Sequence, residues 1–388
     1  MKKKALFYCR VNRDDCANAG VIKKCRGQVK GLRQLGWEVD MVWLCNEGAL
    51  LNEELVYQFK KSMKPHSLSM YFFYYFRWHR VLKRMLALGS YEFCYARYEL
   101  SHPGLLSFFK KIKKEKPATR LVLEIPTYPY AKEMKGGLRK IQLLLDWLYR
   151  GRLKKYVTLV VGFGAENEIF GMEALSIANG IDLDGIPVSN AKPEPGVIRL
   201  IAVGYWHYWH GLDRLVEGLA AYYKEDAEKE FIVKLTIIGE GLETHALKDL
   251  VLKYALNELV IFKLPLLGEG LIQMFEYADI GVGSLGLHRI GLTSASPLKN
   301  REYCARGLPF ILSTHDWDFP QDLLWVKYFP PKDYPVPIEE LISFYKDLNQ
   351  RRKEHEVRDF AEKNFSWRRR LSIVVEKLGV NPGFSKGG

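Results

Sequence analysis

Residues 296–309 read Ser296-Pro297-Leu298-Lys299-Asn300-Arg301-Glu302-Tyr303-Cys304-Ala305-Arg306-Gly307-Leu308-Pro309. Two short apolar runs flank them, 279–287 with three glycines and 310–313. Runs of that length without polar alternation suit parallel strands buried on both faces, so the stretch between reads as the crossover helix of a β-α-β unit. Ser296 fits the N-cap, Pro297 the first helical position, and Gly307 the residue that closes the helix. Open parallel sheets bind ligands beyond the carboxyl ends of their strands, where helix N-termini aim free N–H groups at anions. Lys299 falls in that first turn, with Glu302 one turn later on about the same side. A cation beside backbone N–H groups suits phosphate, and a carboxylate suits sugar hydroxyls. Together they are what a nucleotide-diphosphate sugar needs.

Glu302, Gly307 and Pro309 reproduce the second half of a Glu-any-seven-Glu motif. In this the chain resembles the retaining GT-B glycosyltransferases of family 4, or group 1, of the bacterial polysaccharide-biosynthesis kind. The resemblance makes Glu302 a ribose-binding carboxylate, and Ser294 stands where the family has its first Glu. The plain alternative is an amphipathic crossover helix with Glu302 on its solvent face. The implied architecture is α/β of GT-B type, two Rossmann-like domains whose parallel sheets face each other across a cleft. Residues 1–195 would form the acceptor- and membrane-facing domain and 196–365 the nucleotide-sugar-binding domain. A helix at 366–382 would return to the first domain, leaving 383–388 as a disordered tail.

Of the 388 residues, 48% are hydrophobic and 27% charged, as in a soluble globular protein long enough for two cores. The formal charge of +13 is uneven: residues 1–195 carry 33 Lys/Arg against 19 Asp/Glu, an excess of +14. The first half is therefore the partner-binding half, and its charge suits anionic lipid, nucleic acid or an acidic substrate alike. Cys9, Cys16, Cys25, Cys45, Cys94 and Cys304 form no C-x-x-C pair, which points to reduced thiols in cytosol. The apolar run 5–9 is too short for a signal sequence, and no run reaches the ~18 residues of a membrane span.

Along the first half, 5–9 is a strand, 10–20 a polar loop ending in Gly20, the next segment a helix through Val29, Leu32 and Leu35, and 37–44 a second strand. This is a Rossmann-like opening without G-x-G-x-x-G. The resemblance places Gly20 on the acceptor side, although a glycine there also simply eases a loop. The strand 120–125 runs into Glu124 and then a proline-stiffened loop with Thr127, Tyr128 and Tyr130. Glu124 is a candidate for positioning or proton work and Tyr128 for acceptor contact; the alternative for Glu124 is partnership with a neighbouring Arg. Residues 58–88 and 138–155 mix aromatic and aliphatic residues with Arg and Lys, the pattern of interfacial segments that attach reversibly to anionic membrane. The alternative is that the apolar residues are core and the cations merely solvated. Nucleic acid is not expected as a partner, because no helix-turn-helix, RNA-binding strand motif or zinc spacing accompanies the charge.

The second half opens with a strand at 197–204 and the loop Tyr205-Trp206-His207-Tyr208-Trp209-His210-Gly211. In the family this region carries an Arg and a Lys that grip the donor diphosphate; here Tyr205 and His210 occupy those positions. His210, Lys299 and Arg289 are the replacements, since two phosphate charges need cations. The resemblance adds Gly204, Gly239, Leu264, Ser296 and Leu298 to the donor site, with Lys299 and Arg289 stabilising the leaving diphosphate. The strings 182–184 and 316–318 carry paired aspartates but lack the sheet context of a metal site, so neither metal nor cofactor is expected. The whole implies a cytoplasmic enzyme, peripheral at the inner membrane face, that transfers sugar with retention to a saccharide or polyprenyl-linked acceptor. A donor-binding subunit without turnover and a nucleotide-sugar epimerase of the same fold are the alternatives.

Overall fold

The computed structural model describes residues 3–15, 18–59, 82, 89–131, 137–164, 166–224, 228–351 and 354–380. Two compact units divide the chain, one drawn from Met1–Gly180 and Trp367–Gly388, the other from Ile181–Ser366. Residues 181–195, assigned above to the first domain, pack with the second unit. The Ile181 N–H donates to the Phe365 carbonyl at 2.7 Å, the Ser189 N–H to that of Arg306 at 2.8 Å, and Ile181 and Ile186 join the core around Phe319 and Trp325. Most of the basic-aromatic stretch 58–88, together with Cys16 and the tail 383–388, lies outside the described residues.

The first unit is built on β1 (Lys4–Asn12), β2 (Glu38–Leu44), β3 (Gly48–Leu51), β4 (Glu54–Gln58), β5 (Phe93–Arg97), β6 (Arg120–Ile125), β7 (Leu159–Gly162), β8 (Glu168–Ile169) and β9 (Met172–Ser176). Their order is β4-β3-β2-β1-β5-β6-β7-β9-β8, parallel from β2 to β9 with antiparallel edges. Its helices are α1 (Ala19–Gln34), α2 (Pro103–Glu115), α3 (Gly137–Arg150) and the last of the chain, α10 (Trp367–Lys377). Ala5, Phe7 and Cys9 of β1 pack with Val29 and Leu32 of α1 and Trp367 and Leu371 of α10. Leu6 and Tyr8 point the other way, onto Phe108 and Phe109 of α2. Burial on both faces is why β1 reads as a continuous apolar run. Strand β5 and helix α2 escaped the sequence reading: Phe93-Cys94-Tyr95-Ala96-Arg97 has no β-branched residue and earns its place by pairing with β1 and β6.

The second unit runs β10 (Val197–Val203), α4 (Leu212–Lys224), β11 (Ile232–Ile238), α5 (Thr244–Lys253), β12 (Val260–Lys263), α6 (Gly268–Glu276), β13 (Ile280–Val282), α7 (Leu298–Ala305), β14 (Phe310–Leu312), β15 (Val326–Tyr328), α8 (Ile338–Arg351) and α9 (Glu354–Asn364). The strand order β12-β11-β10-β13-β14-β15, all parallel, is doubly wound, with its topological switch between β10 and β13. Helix α7 is the expected crossover, begun one residue late. Pro297, not Ser296, is its N-cap, in extended conformation (φ −65°, ψ 136°), and its carbonyl accepts from the Asn300 N–H at 3.3 Å. Ser296 is buried just ahead of the helix, and Gly307 closes it at φ 73°.

Candidate functional site

The carboxyl ends of β10 and β11 are joined by interlocking turns. Gly239 has φ 111°, and a Cβ there would lie 1.9 Å from the Gly204 carbonyl oxygen; one on Gly241 would lie 2.2 Å from the backbone of Trp206. Glycine at 239 and 241 therefore lets the chain after β10 lie against the turn after β11. The Trp206 N–H donates to the Glu240 carbonyl at 3.2 Å, and its indole is fully buried. Leu264, just beyond β12, is exposed on the neighbouring strand end.

Lys299 enters this region from the first turn of α7. Its stem is half-buried, but its Nζ is inaccessible, has no hydrogen-bond partner, and lies 5.0 Å from the centre of the Trp206 ring. Trp206 Nε1 is buried and unpartnered as well. Burial pushes the Lys299 amine down to about 7, because taking a lone ammonium out of water disfavours its charged form. His210 stands close enough to feel it: burial, then Lys299 and His207, hold the imidazole well below its ordinary value. His210 Nδ1 accepts from the His207 N–H at 3.0 Å and its carbonyl accepts from the Leu285 N–H at 2.8 Å, so this histidine also fixes its own loop. Two orphaned donors make a place that an anionic, acceptor-rich group completes.

Glu302 lies one turn further along α7 and ion-pairs with the buried Arg306 at 3.0 Å. Arg289, expected to hold phosphate, is engaged instead with protein carboxylates. Its guanidinium donates to both Asp213 oxygens at 2.9 and 2.7 Å, to Asp333 at 2.7 Å and to the Tyr208 carbonyl at 2.6 Å. Two aspartates neutralise it, and its geometry is that of a clasp joining three loops. Asp316 and Asp318, the paired aspartates of 316–318, ion-pair with the buried Arg301 of α7. Ser294, in the place of the missing Glu, forms a parallel backbone bridge with His315.

In the first unit, Glu124 is fully buried near the end of β6. Lys24 of α1 and Arg97 of β5 ion-pair with it at 3.0 and 2.8 Å, while Gln28 and Tyr95 donate hydrogen bonds. Burial opposes its charge, but Lys24 and Arg97 outweigh that and hold the carboxyl down at about 2. A carboxylate so held stays ionised near neutrality and centres a buried ion-pair cluster, the partnership with a neighbouring Arg given above as the alternative. Arg97 was not anticipated, since β5 itself was not, and Lys24 lies on the expected helix α1 but was not singled out. Tyr128 packs against Tyr130 and Phe170, ring centres 6.2 and 5.8 Å away. Gly20 is not in the loop but in the first turn of α1, exposed to solvent.

No family model and no curated protein matches the chain. Solved structures do. A sucrose-phosphate synthase from Thermosynechococcus elongatus superposes with a TM-score of 0.69 at 14% identity, over 97% of this chain and 99% of that one. A glycosyltransferase from Rickettsia africae gives 0.62 at 13% with the same coverage of both chains. An E. coli trehalose-6-phosphate structure bound with UDP-2-fluoro glucose gives 0.56 at 14%, over 97% of this chain and 99% of that one. The chain has the GT-B fold.

Proposed function

We propose that this protein is a glycosyltransferase that takes its sugar from a nucleotide-diphosphate donor bound by the second unit. The observation that carries the reading is the pair of orphaned donors, Lys299 Nζ and Trp206 Nε1, at the switch between β10 and β13. A diphosphate supplies the acceptors both lack, and the first-turn N–H groups of α7 add to its hold. As the glycosidic bond to the diphosphate breaks, negative charge grows on the leaving group. A protonated Lys299 in a site poor in water stabilises that charge more than it stabilises the intact donor. Glu302 takes the ribose hydroxyls, which a carboxylate can do on one oxygen while the other keeps Arg306. Arg289 and His210 hold the loops around this site, with Gly204 and Gly239 shaping its floor.

Following the resemblance, transfer proceeds with retention and without a metal, to a saccharide or polyprenyl-linked acceptor of cell-surface polysaccharide synthesis. The basic first unit then faces the acceptor at the inner membrane surface. A thermal-shift series with UDP, GDP, ADP and CDP tests the donor site: at least one should raise the melting temperature of the wild type and fail to do so in Lys299→Met. A series that moves nothing refutes the reading. The second reading, a donor-binding subunit without turnover, is favoured by the backbone-bridged Ser294 in place of a Glu. Release of free nucleoside diphosphate in the presence of an acceptor excludes it.

A further inference from the structure

Helix α3 turns an apolar stripe outward. Ile141, Leu144, Trp147 and Leu148 are 57, 56, 60 and 50% exposed, and at 3.6 residues per turn they share one face. The opposite face is fastened to the first unit through Asp146, the helix's single carboxylate, which is fully buried. Its oxygens accept from the hydroxyls of Tyr98 and Tyr130 and from the Ser101 N–H at 2.6 Å. The one negative charge of α3 is thus turned inward, and what rims the stripe is cationic. Lys140 lies beside the stripe on the helix, and Arg152, Lys154 and Lys155 are exposed just after it, whereas Arg150 turns back to ion-pair with Asp146 at 3.7 Å.

We propose that this face of α3 docks on an anionic lipid surface. Aliphatic side chains would enter the acyl boundary, the Trp147 ring would sit at headgroup level, and the basic rim would meet lipid phosphates. The inference deepens the membrane-facing part of the reading above by naming the contact surface and its partner. Charge decides against the other occupants. In a two-fold pairing of α3 with a second copy, each basic rim would lie against its own like, with no exposed carboxylate of the helix to answer it. A nucleic acid would use the cations but leave the apolar stripe in water.

The test is co-sedimentation of the full chain with vesicles, either phosphatidylcholine alone or equimolar phosphatidylcholine and phosphatidylglycerol. The protein should pellet with the mixed vesicles only and be released by salt, as the Debye length contracts from ~10 Å at 0.1 M to ~3 Å at 1 M. The double variant Leu144→Glu/Leu148→Glu, at exposed positions that leave the fold intact, should lower partitioning about tenfold or more, and Lys154→Glu/Lys155→Glu should lower it at low salt. Equal pelleting with both vesicle types, or an unaltered Leu144→Glu/Leu148→Glu variant, overturns the proposal. So does a lipid-free dimer in analytical ultracentrifugation that the same variant dissociates, since that assigns the face to a second copy. Nucleoside diphosphate binding on the same preparations reports separately on the donor site, so failure of one reading is told apart from failure of the other.

Discussion

Lys299 and Trp206 meet at the end of β10 with the lysine Nζ 5.0 Å from the centre of the indole ring, and neither side-chain nitrogen has a hydrogen-bond partner. A buried, unpartnered amine opposes folding, so its presence against an aromatic wall is better explained by what binds there than by what it contributes to the unliganded chain.

Replacing that amine should therefore separate stability from binding. Lys299→Met keeps the stem and removes the charge, and should stabilise the fold by about 1–3 kcal/mol, the scale of one unsatisfied buried polar group. The same change should weaken nucleoside diphosphate binding by about 1.5–3 kcal/mol. Urea unfolding and calorimetry measure the two; a variant that is both less stable and unchanged in affinity contradicts the assignment.

Binding should also depend on pH in a defined direction. The free Lys299 amine is pushed down to about 7, and a diphosphate selects its protonated form. Affinity should hold below that value and fall as pH rises through it, by up to about tenfold per unit until the amine's raised value in the complex is reached. His210 adds no step there, because it is held neutral well below its usual range. Calorimetry across this range should show the slope in the wild type and lose it in Lys299→Met; a flat wild-type profile would place the diphosphate elsewhere.

Glu302→Ala should cost about 1.5–3 kcal/mol in nucleotide-sugar affinity, the strength of a charge-assisted hydrogen bond to a ribose hydroxyl. The ion pair with Arg306 is lost at the same time, so a melting curve must accompany the titration. Intact folding with wild-type affinity takes the ribose away from Glu302 and leaves it a structural residue beside Arg306.

Arg289→Ala should act through loop structure. Removing the guanidinium strands Asp213 and Asp333 and frees the Tyr208 carbonyl, a loss of about 1–3 kcal/mol in stability for the charged hydrogen bonds. Arg289→Lys should recover little, because an ammonium cannot reproduce the two-pronged contact with Asp213. A variant of wild-type stability that binds nucleoside diphosphate poorly would instead return Arg289 to the phosphate.

Glu124→Gln should destabilise the first unit by about 3–5 kcal/mol, since it leaves Lys24 and Arg97 buried around a neutral amide. Its carboxyl is held at about 2 in the fold, below the ~4 of an unfolded Glu. The stabilisation is therefore complete above the unfolded value and drains away as pH falls toward the folded one. Acid unfolding followed by near-ultraviolet dichroism should show that loss in the wild type and a shallower dependence in the variant. Full stability of Glu124→Gln at neutral pH would reopen a chemical role.

How much of this was legible beforehand depends on what each residue answers to. The sequence by itself determined most of both β-α-β series, β5 and α2 excepted, because strands buried on two faces, such as β1 and β10, are apolar through their middles. It also located the crossover α7, the glycine turns after β10 and β11, and the basic-apolar stretch that forms α3, all of which are read over a few neighbouring residues; that its apolar stripe faces outward came from the structure. What only the tertiary structure decided is the state of each charge. Lys299, Arg289 and Glu124 look alike in sequence, each a charged residue near a strand end. Lys299 meets an indole and has no hydrogen-bond partner, Arg289 meets two aspartates 76 and 44 residues away, and Glu124 meets Lys24 and Arg97. Charge interactions act through space and fall with distance and dielectric. The partners that set a side chain's protonation and freedom therefore come from strand order, which no local pattern carries.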